Sequence, residues 1–156
     1  IHTEPFHVLS FDCDLDSVHM TDAYRLRLFN RLDEQTQKYL FISVGGYDIV
    51  YHDHPLLTAA PHPHTRTTFD VQIKNPPTVS TSFVRYAAGF LSATAVHVGP
   101  YETLHQTYEK IIHWARENGH TLGSDALEDY QITSQMVSDP SLYVTQVYIP
   151  LAGETI

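Results

Sequence analysis

The chain has 156 residues, 42% of them hydrophobic, which suits one domain with a sizeable core and excludes wholesale disorder. A formal net charge of -9 repels phosphate backbones and disfavours direct nucleic-acid binding through this chain. No run of about 18 apolar residues could span a membrane, and Ile1 to Pro5 lack the charged and apolar regions of a signal peptide.

The first half opens with a strand-like run, Phe6 to Cys13. Cys13 is the single cysteine, so no internal disulfide forms; this fits a reducing cytoplasm, with Cys13 as an apolar filler near Phe11. A helix is predicted from about Thr21 to Tyr39, where Leu28, Phe29, Leu32 and Tyr39 recur at helical spacing and Thr36 fills the gap. Thr21 suits the N-cap and Asp22 the first turn. Gly45-Gly46 breaks the pattern. A short strand, Asp48 to Asp53, a Pro/His-rich loop, His54 to His64, and a strand, Thr67 to Ile73, follow.

Asn75-Pro76-Pro77-Thr78 links to a second half of the same order. Phe90 to Val98 reads as a strand, and Gly99-Pro100 opens a helix with Pro100 at its first position. Tyr101, Leu104, Tyr108, Ile111, Ile112 and Ala115 form its apolar stripe, and Asn118-Gly119 stops it. Strands are expected at about Ala126 to Thr133 and Tyr143 to Ile149, separated by the Ser138-Asp139-Pro140 turn. Each half is strand, helix, strand, strand. The predicted class is therefore α+β: two βαββ repeats, about 5–74 and 84–151, share one antiparallel sheet with both helices on one face. Neither repeat could bury its core alone, so 1–156 is read as one domain.

Alternation along a strand assigns faces. Ala126, Glu128, Tyr130 and Ile132 share one face; Leu127, Asp129, Gln131 and Thr133 share the other, more polar one. Glu128 thus stands among apolar neighbours with no basic residue near it in sequence. Such a carboxylate must find a cation or hydrogen-bond donors, or take up a proton. In the last strand, Thr145, Val147 and Ile149 should face the helices, with Gln146 and Tyr148 on the open side. Tyrosines add a second signal, since aromatic faces stack on flat ligands and attract cations. Tyr51, Tyr130 and Tyr148 are the better pocket candidates, whereas the helical spacing of Tyr108 and Trp114 favours core packing. A carboxylate and a cation about 4 Å apart attract by roughly 4 kcal/mol at an effective dielectric near 20, before desolvation.

Eleven histidines invite a metal reading. His52 and His54 share a strand face, and His62 and His64 follow in the loop. Yet no Cys pair, no His-Glu-x-x-His and no other zinc spacing is present, so no metal or cofactor is expected. There is no Gly-rich phosphate loop and no Gly-x-Ser-x-Gly elbow. Asp33-Glu34 is read as a solvated pair.

The run His97-Val98-Gly99-Pro100-Tyr101-Glu102, followed by Tyr108, Trp114, Glu117-Asn118-Gly119, Gly123, Glu128-Asp129-Tyr130, Asp139-Pro140 and Val144 to Leu151, resembles the GyrI-like family. That family includes stand-alone proteins and the ligand-sensing domains of MerR-type and AraC-type transcription regulators. The first half resembles it more weakly, through Ile49 to Asp53 and Phe69 to Ile73. The resemblance implies a curved sheet of two repeats with pseudo-two-fold symmetry (the SHS2-repeat arrangement). It also implies a cleft between the repeats for small amphipathic, often cationic, organic molecules. It places the pocket carboxylate at Glu128 and pocket aromatics at Tyr51, Tyr101, Tyr130 and Tyr148. Many members carry Glu where this chain has Gln146, which leaves fewer anions for a cation. Binding module or regulator effector domain is the leading reading. The alternatives are a hydrolase opening cyclopropane-bearing alkylating natural products, with Glu128 as general acid or base, and a gyrase-inhibitor-like interaction domain. Homodimerisation stays open.

Overall fold

The computed structural model describes residues 1–15, 21–59, 65–75 and 84–156. Seven strands, β1 (Phe6–Leu15), β2 (Ser43–Tyr51), β3 (Thr65–Ile73), β4 (Val84–Ala87), β5 (Ser92–Val98), β6 (Ala126–Ile132) and β7 (Val144–Pro150), form one sheet. Helix α1 spans Asp22–Lys38 and α2 spans Leu104–Glu117. The strand order is β4-β1-β3-β2-β6-β7-β5, with every neighbouring pair antiparallel. The order β1-β3-β2 is mirrored by β6-β7-β5, so the second strands of the two βαββ repeats, β2 and β6, meet at the centre.

Both helices cover one face. From α1, Leu28, Phe29 and Leu32 pack on Leu9, Ile49, Phe69 and Val71. From α2, Leu104, Tyr108 and Ile111 pack on Ala93, Ala126, Val147 and Ile149. The central register unites the two clusters: Tyr47 pairs with Tyr130, Ile49 with Glu128 and Tyr51 with Ala126, all on the helix side. Thr21 caps α1 by accepting from the Tyr24 backbone N–H at 3.2 Å, which satisfies one of the donors a helix start leaves over. No helix among the described residues is long and apolar enough to cross a membrane.

Several expectations need correction. The strand β4 was not anticipated; it pairs with β1 and is only four residues long. Gly45 and Gly46 lie inside β2, at a register shift against β3, because glycine tolerates the φ of +80° at Gly45. Strand β2 ends at Tyr51, so His52 and His54 share no strand face. Pro100 is extended (φ -66°, ψ 152°) and precedes a 3-10 turn, Tyr101–Thr103, before α2 starts at Leu104. Trp114 is 47% exposed and stacks on His120 instead of entering the core, and Tyr39 is also exposed. Asp33 is not simply solvated: it accepts the Tyr47 hydroxyl at 2.6 Å. The Cys13 side chain and residues His62 and His64 lie outside what is described.

Candidate functional site

Glu128 sits mid-strand in β6, on the helix face, and is 2% exposed. The donors it needs come from two tyrosines. The Tyr108 hydroxyl, carried by α2, donates to Oε1 at 2.7 Å. The Tyr130 hydroxyl, two residues along the same strand face, donates to Oε2. Tyr130 in turn accepts from Arg25 Nε at 3.0 Å. The chain Arg25–Tyr130–Glu128–Tyr108 therefore ties α1 to α2 across the central strands. Through the Tyr130 phenol, Arg25 is linked to the carboxylate.

The ring of Tyr101 completes the group. Arg25 Cζ lies 4.5 Å from the Tyr101 ring centroid and 5.8 Å from that of Tyr130, within cation–π range. Tyr101 meets Tyr130 edge-on at 5.4 Å and stacks on Tyr143 at 5.0 Å. The preceding turn is held by His97. Its Nε2 donates to the Pro100 carbonyl at 3.0 Å, and its Nδ1 accepts from the Thr107 hydroxyl at 2.9 Å. A carbonyl can only accept, so Nε2 carries a proton and, in the neutral ring, Nδ1 is the acceptor. Gly99, at φ +129°, makes the reversal that delivers Tyr101. His54 follows β2 and stacks on Tyr108 at 4.4 Å, with its ring edge-on to Tyr51 at 4.8 Å.

A cavity of about 290 Å³ opens above this network. Arg25, Tyr51, Tyr101, Tyr108 and Glu128 line it, with His54, Pro55 and Leu56 from the turn after β2 and Leu104 and His105 from α2. The Tyr101 hydroxyl is buried and has no hydrogen-bond partner among the described residues. Buried polar atoms are rarely left so, and each costs about 1–3 kcal/mol.

Burial dominates the site's electrostatics. It pushes the phenols of Tyr51, Tyr101, Tyr108 and Tyr130 up, and Glu128 pushes them further, so all four keep their protons and can donate. Burial pulls His54 down, with Glu128 opposing. Burial also works against the charge on Arg25, but the tyrosine oxygens and Glu128 outweigh it and its pKa is raised.

Of the six residues expected in one cleft, the structure brings four together. Tyr51, Tyr101 and Glu128 line the cavity, and Tyr130 lies beneath it, fully buried. Gln146 and Tyr148 are on the opposite face, because Gln146 pairs with Asp129 and Tyr148 with Leu127, each one residue out of phase with Glu128. Gln146 donates to Thr94 at 3.1 Å and accepts from Gln131 at 3.2 Å. Tyr148 borders a separate depression of about 360 Å³ with Phe90, Leu127 and Asp129.

Arg25, His54 and the polar role of Tyr108 were missed. A signal existed for Arg25: it falls three and four residues before Leu28 and Phe29, on the buried stripe of α1. An arginine on such a stripe calls for a buried partner. Among the described residues, no group of three or more His, Cys, Asp or Glu is placed to hold a metal ion.

Four solved structures share this fold. The EcmrR C-terminal domain superposes with a TM-score of 0.78 at 15% identity, covering 97% of this chain and 94% of that one. In the cryo-EM structure of the EcmrR-DNA complex, the match covers 97% of this chain and 55% of the EcmrR chain, so this chain spans about half of that protein (TM-score 0.78, 14% identity). SAV2435 bound to tetraphenylphosphonium has a TM-score of 0.61 at 12% identity, covering 98% and 92% of the two chains. A hydrolase encoded by lin2189 from Listeria innocua matches with a TM-score of 0.61 at 12% identity, covering 97% and 90%. No curated protein matches the chain. The family model for the GyrI-like small molecule binding domain matches residues 2–152, nearly the whole length. The chain belongs to the GyrI-like family of small-molecule binding domains.

Proposed function

We propose that the cavity above Glu128 binds a small amphipathic organic molecule of cationic character. In this reading the chain acts in the cytoplasm, as a stand-alone binding module or as the effector domain of a transcription regulator. The observation that carries it is a buried carboxylate held by two phenols at the floor of an aromatic-lined cavity, with an orphaned Tyr101 hydroxyl at its wall. Glu128 is the electrostatic anchor, and Tyr51, Tyr101 and Tyr108 are the walls. At about 290 Å³ the cavity is near the lower bound for small-molecule sites. It suits a compact aromatic guest. EcmrR, a protein solved in complex with DNA whose C-terminal domain has this fold, and SAV2435, solved with tetraphenylphosphonium, support the reading as analogies.

The test is a titration with benzyltrimethylammonium and its uncharged carbon isostere, neopentylbenzene. Glu128→Gln is expected to weaken the ammonium by about tenfold or more, roughly 1.4 kcal/mol, and to leave the hydrocarbon nearly unchanged. Equal losses for both probes would remove the anchor role.

A second reading is favoured by the Tyr108–Glu128–Tyr130 arrangement, which could pass a proton to or from a bound electrophile. Glu128 would then be the general acid or base that adds water to a strained ring. Product formation from a cyclopropane-bearing alkylating agent, abolished in Glu128→Gln, is the expected result for an enzyme. Saturable binding without product returns the assignment to the binding module.

A further inference from the structure

A cation already occupies the aromatic side of the cavity, and it belongs to the chain itself. Arg25 is 7% exposed and lies over Tyr101, with Nε on the Tyr130 phenol that holds Glu128. These are the groups an incoming cation would use: two ring faces and the field of one carboxylate. A guest ammonium in the cavity therefore faces the guanidinium across the same rings and carboxylate, and their mutual repulsion is strong at low effective dielectric.

The structure also offers Arg25 somewhere to go. A second cavity, of about 460 Å³, lies on the other side of the same wall and is lined by Thr21, Asp22, Ala23, Arg25, Tyr101 and Glu102. Arg25 and Tyr101 border both cavities. In the second one, Asp22 and Glu102 are close enough that Glu102, after burial, helps raise the Asp22 pKa. Arg25 Nη1 is 3.8 Å from Asp22 Oδ1, an ion pair at the long end of its range and beyond hydrogen-bonding distance. With Arg25 lining both cavities, a change of its side-chain rotamer is the movement that would take the guanidinium off the tyrosines towards Asp22.

We propose that Arg25 is the specificity-determining residue of the cleft, a tethered stand-in for a cationic guest that must swing into the Asp22/Glu102 cavity before such a guest can bind. The inference rests on the reading of the cleft as a ligand site. It adds that the chain rejects weak cations and admits those able to displace a guanidinium, while uncharged aromatic molecules can enter with Arg25 in place.

The experiment uses benzyltrimethylammonium and neopentylbenzene with four proteins: the unsubstituted chain, Arg25→Met, Asp22→Asn/Glu102→Gln, and the triple variant. Arg25→Met is expected to tighten the ammonium about tenfold and to change the hydrocarbon less than twofold. Asp22→Asn/Glu102→Gln, at positions more exposed than Arg25, is expected to weaken the ammonium about threefold or more. In the Arg25→Met background the same pair of substitutions should have little effect, since no guanidinium then needs a destination. That non-additivity is the signature. An unchanged ammonium-to-hydrocarbon ratio in Arg25→Met overturns the proposal, as does an equal effect of the Asp22/Glu102 pair in both backgrounds, which would be bulk charge alone. If Arg25→Met does not fold, Arg25→Lys and the Asp22/Glu102 variant decide it: neither shifting the ratio overturns the proposal. Failure of the cleft reading is seen separately, as insensitivity of both probes to Glu128→Gln.

Discussion

At the scale of single residues, the site is a buried polar network whose members hold one another. Removing one hydroxyl exposes the asymmetry of such networks: the donor is lost, but the buried acceptor remains. Tyr108→Phe leaves Glu128 Oε1 without its 2.7 Å donor and is expected to cost about 1–3 kcal/mol in urea denaturation. A loss under a few tenths would mean that water replaces the phenol there. His54 makes a pH prediction. Burial lowers its pKa from the ordinary 6.5, so the unfolded chain binds a proton in a range where the folded one does not. Its contribution to stability is complete above 6.5 and is lost as pH falls through the window below that value. The melting temperature should drop between pH 7.5 and 5.5, and His54→Gln should flatten part of that slope. An unaltered slope in the variant would contradict the assignment. Parity along β6 made Glu128 legible from sequence as an acid among apolar neighbours. Its donors were not legible, because Tyr108 lies 20 residues away on α2 and Arg25 further still on α1.

Elements place these residues through a few close approaches. A Cβ at Gly46 would stand 2.5 Å from the Tyr130 carbonyl oxygen and 2.5 Å from Asp129 Oδ1. The backbone of β6 would have to shift, and with it the strand that carries Glu128 and Tyr130. Gly46→Ala is expected to destabilise by about 1–3 kcal/mol, the range for overpacking, and to weaken ligand binding as well. Gly123→Ala, whose new Cβ would meet its nearest neighbour at 3.4 Å, is the milder control. Equal effects would show that the approach of β2 to β6 is not what holds the site. At the start of α1, Thr21→Ala removes the cap on the Tyr24 N–H. The expected cost is about 0.5–2 kcal/mol, read from the thermal midpoint. Helix and strand periodicity were legible for α1, α2, β3, β6 and β7, and their ends fell within a few residues. The glycines of β2 read as a break because glycine is a common breaker. Only the pairing with β3 shows that they form an irregularity inside a strand.

Across the whole molecule, the two repeats share the β2–β6 seam, and the Arg25–Tyr130–Glu128–Tyr108 chain crosses it. Far-UV and near-UV circular dichroism should therefore report one coincident unfolding transition. Two separated transitions would show repeats that fold independently. The sequence by itself determined the α+β class, the βαββ repeat, the face on which each β6 and β7 side chain lies, and the presence of an acid that needed partners. It could do so because hydrophobic periodicity is a local property, set by the 3.6-residue and two-residue repeats of the backbone. Tertiary structure alone decided which partners arrived: two phenols at the carboxylate and a guanidinium on one of those phenols. Those outcomes depend on strand register and helix placement, which bring residues distant in the chain within hydrogen-bonding distance and which no local pattern encodes.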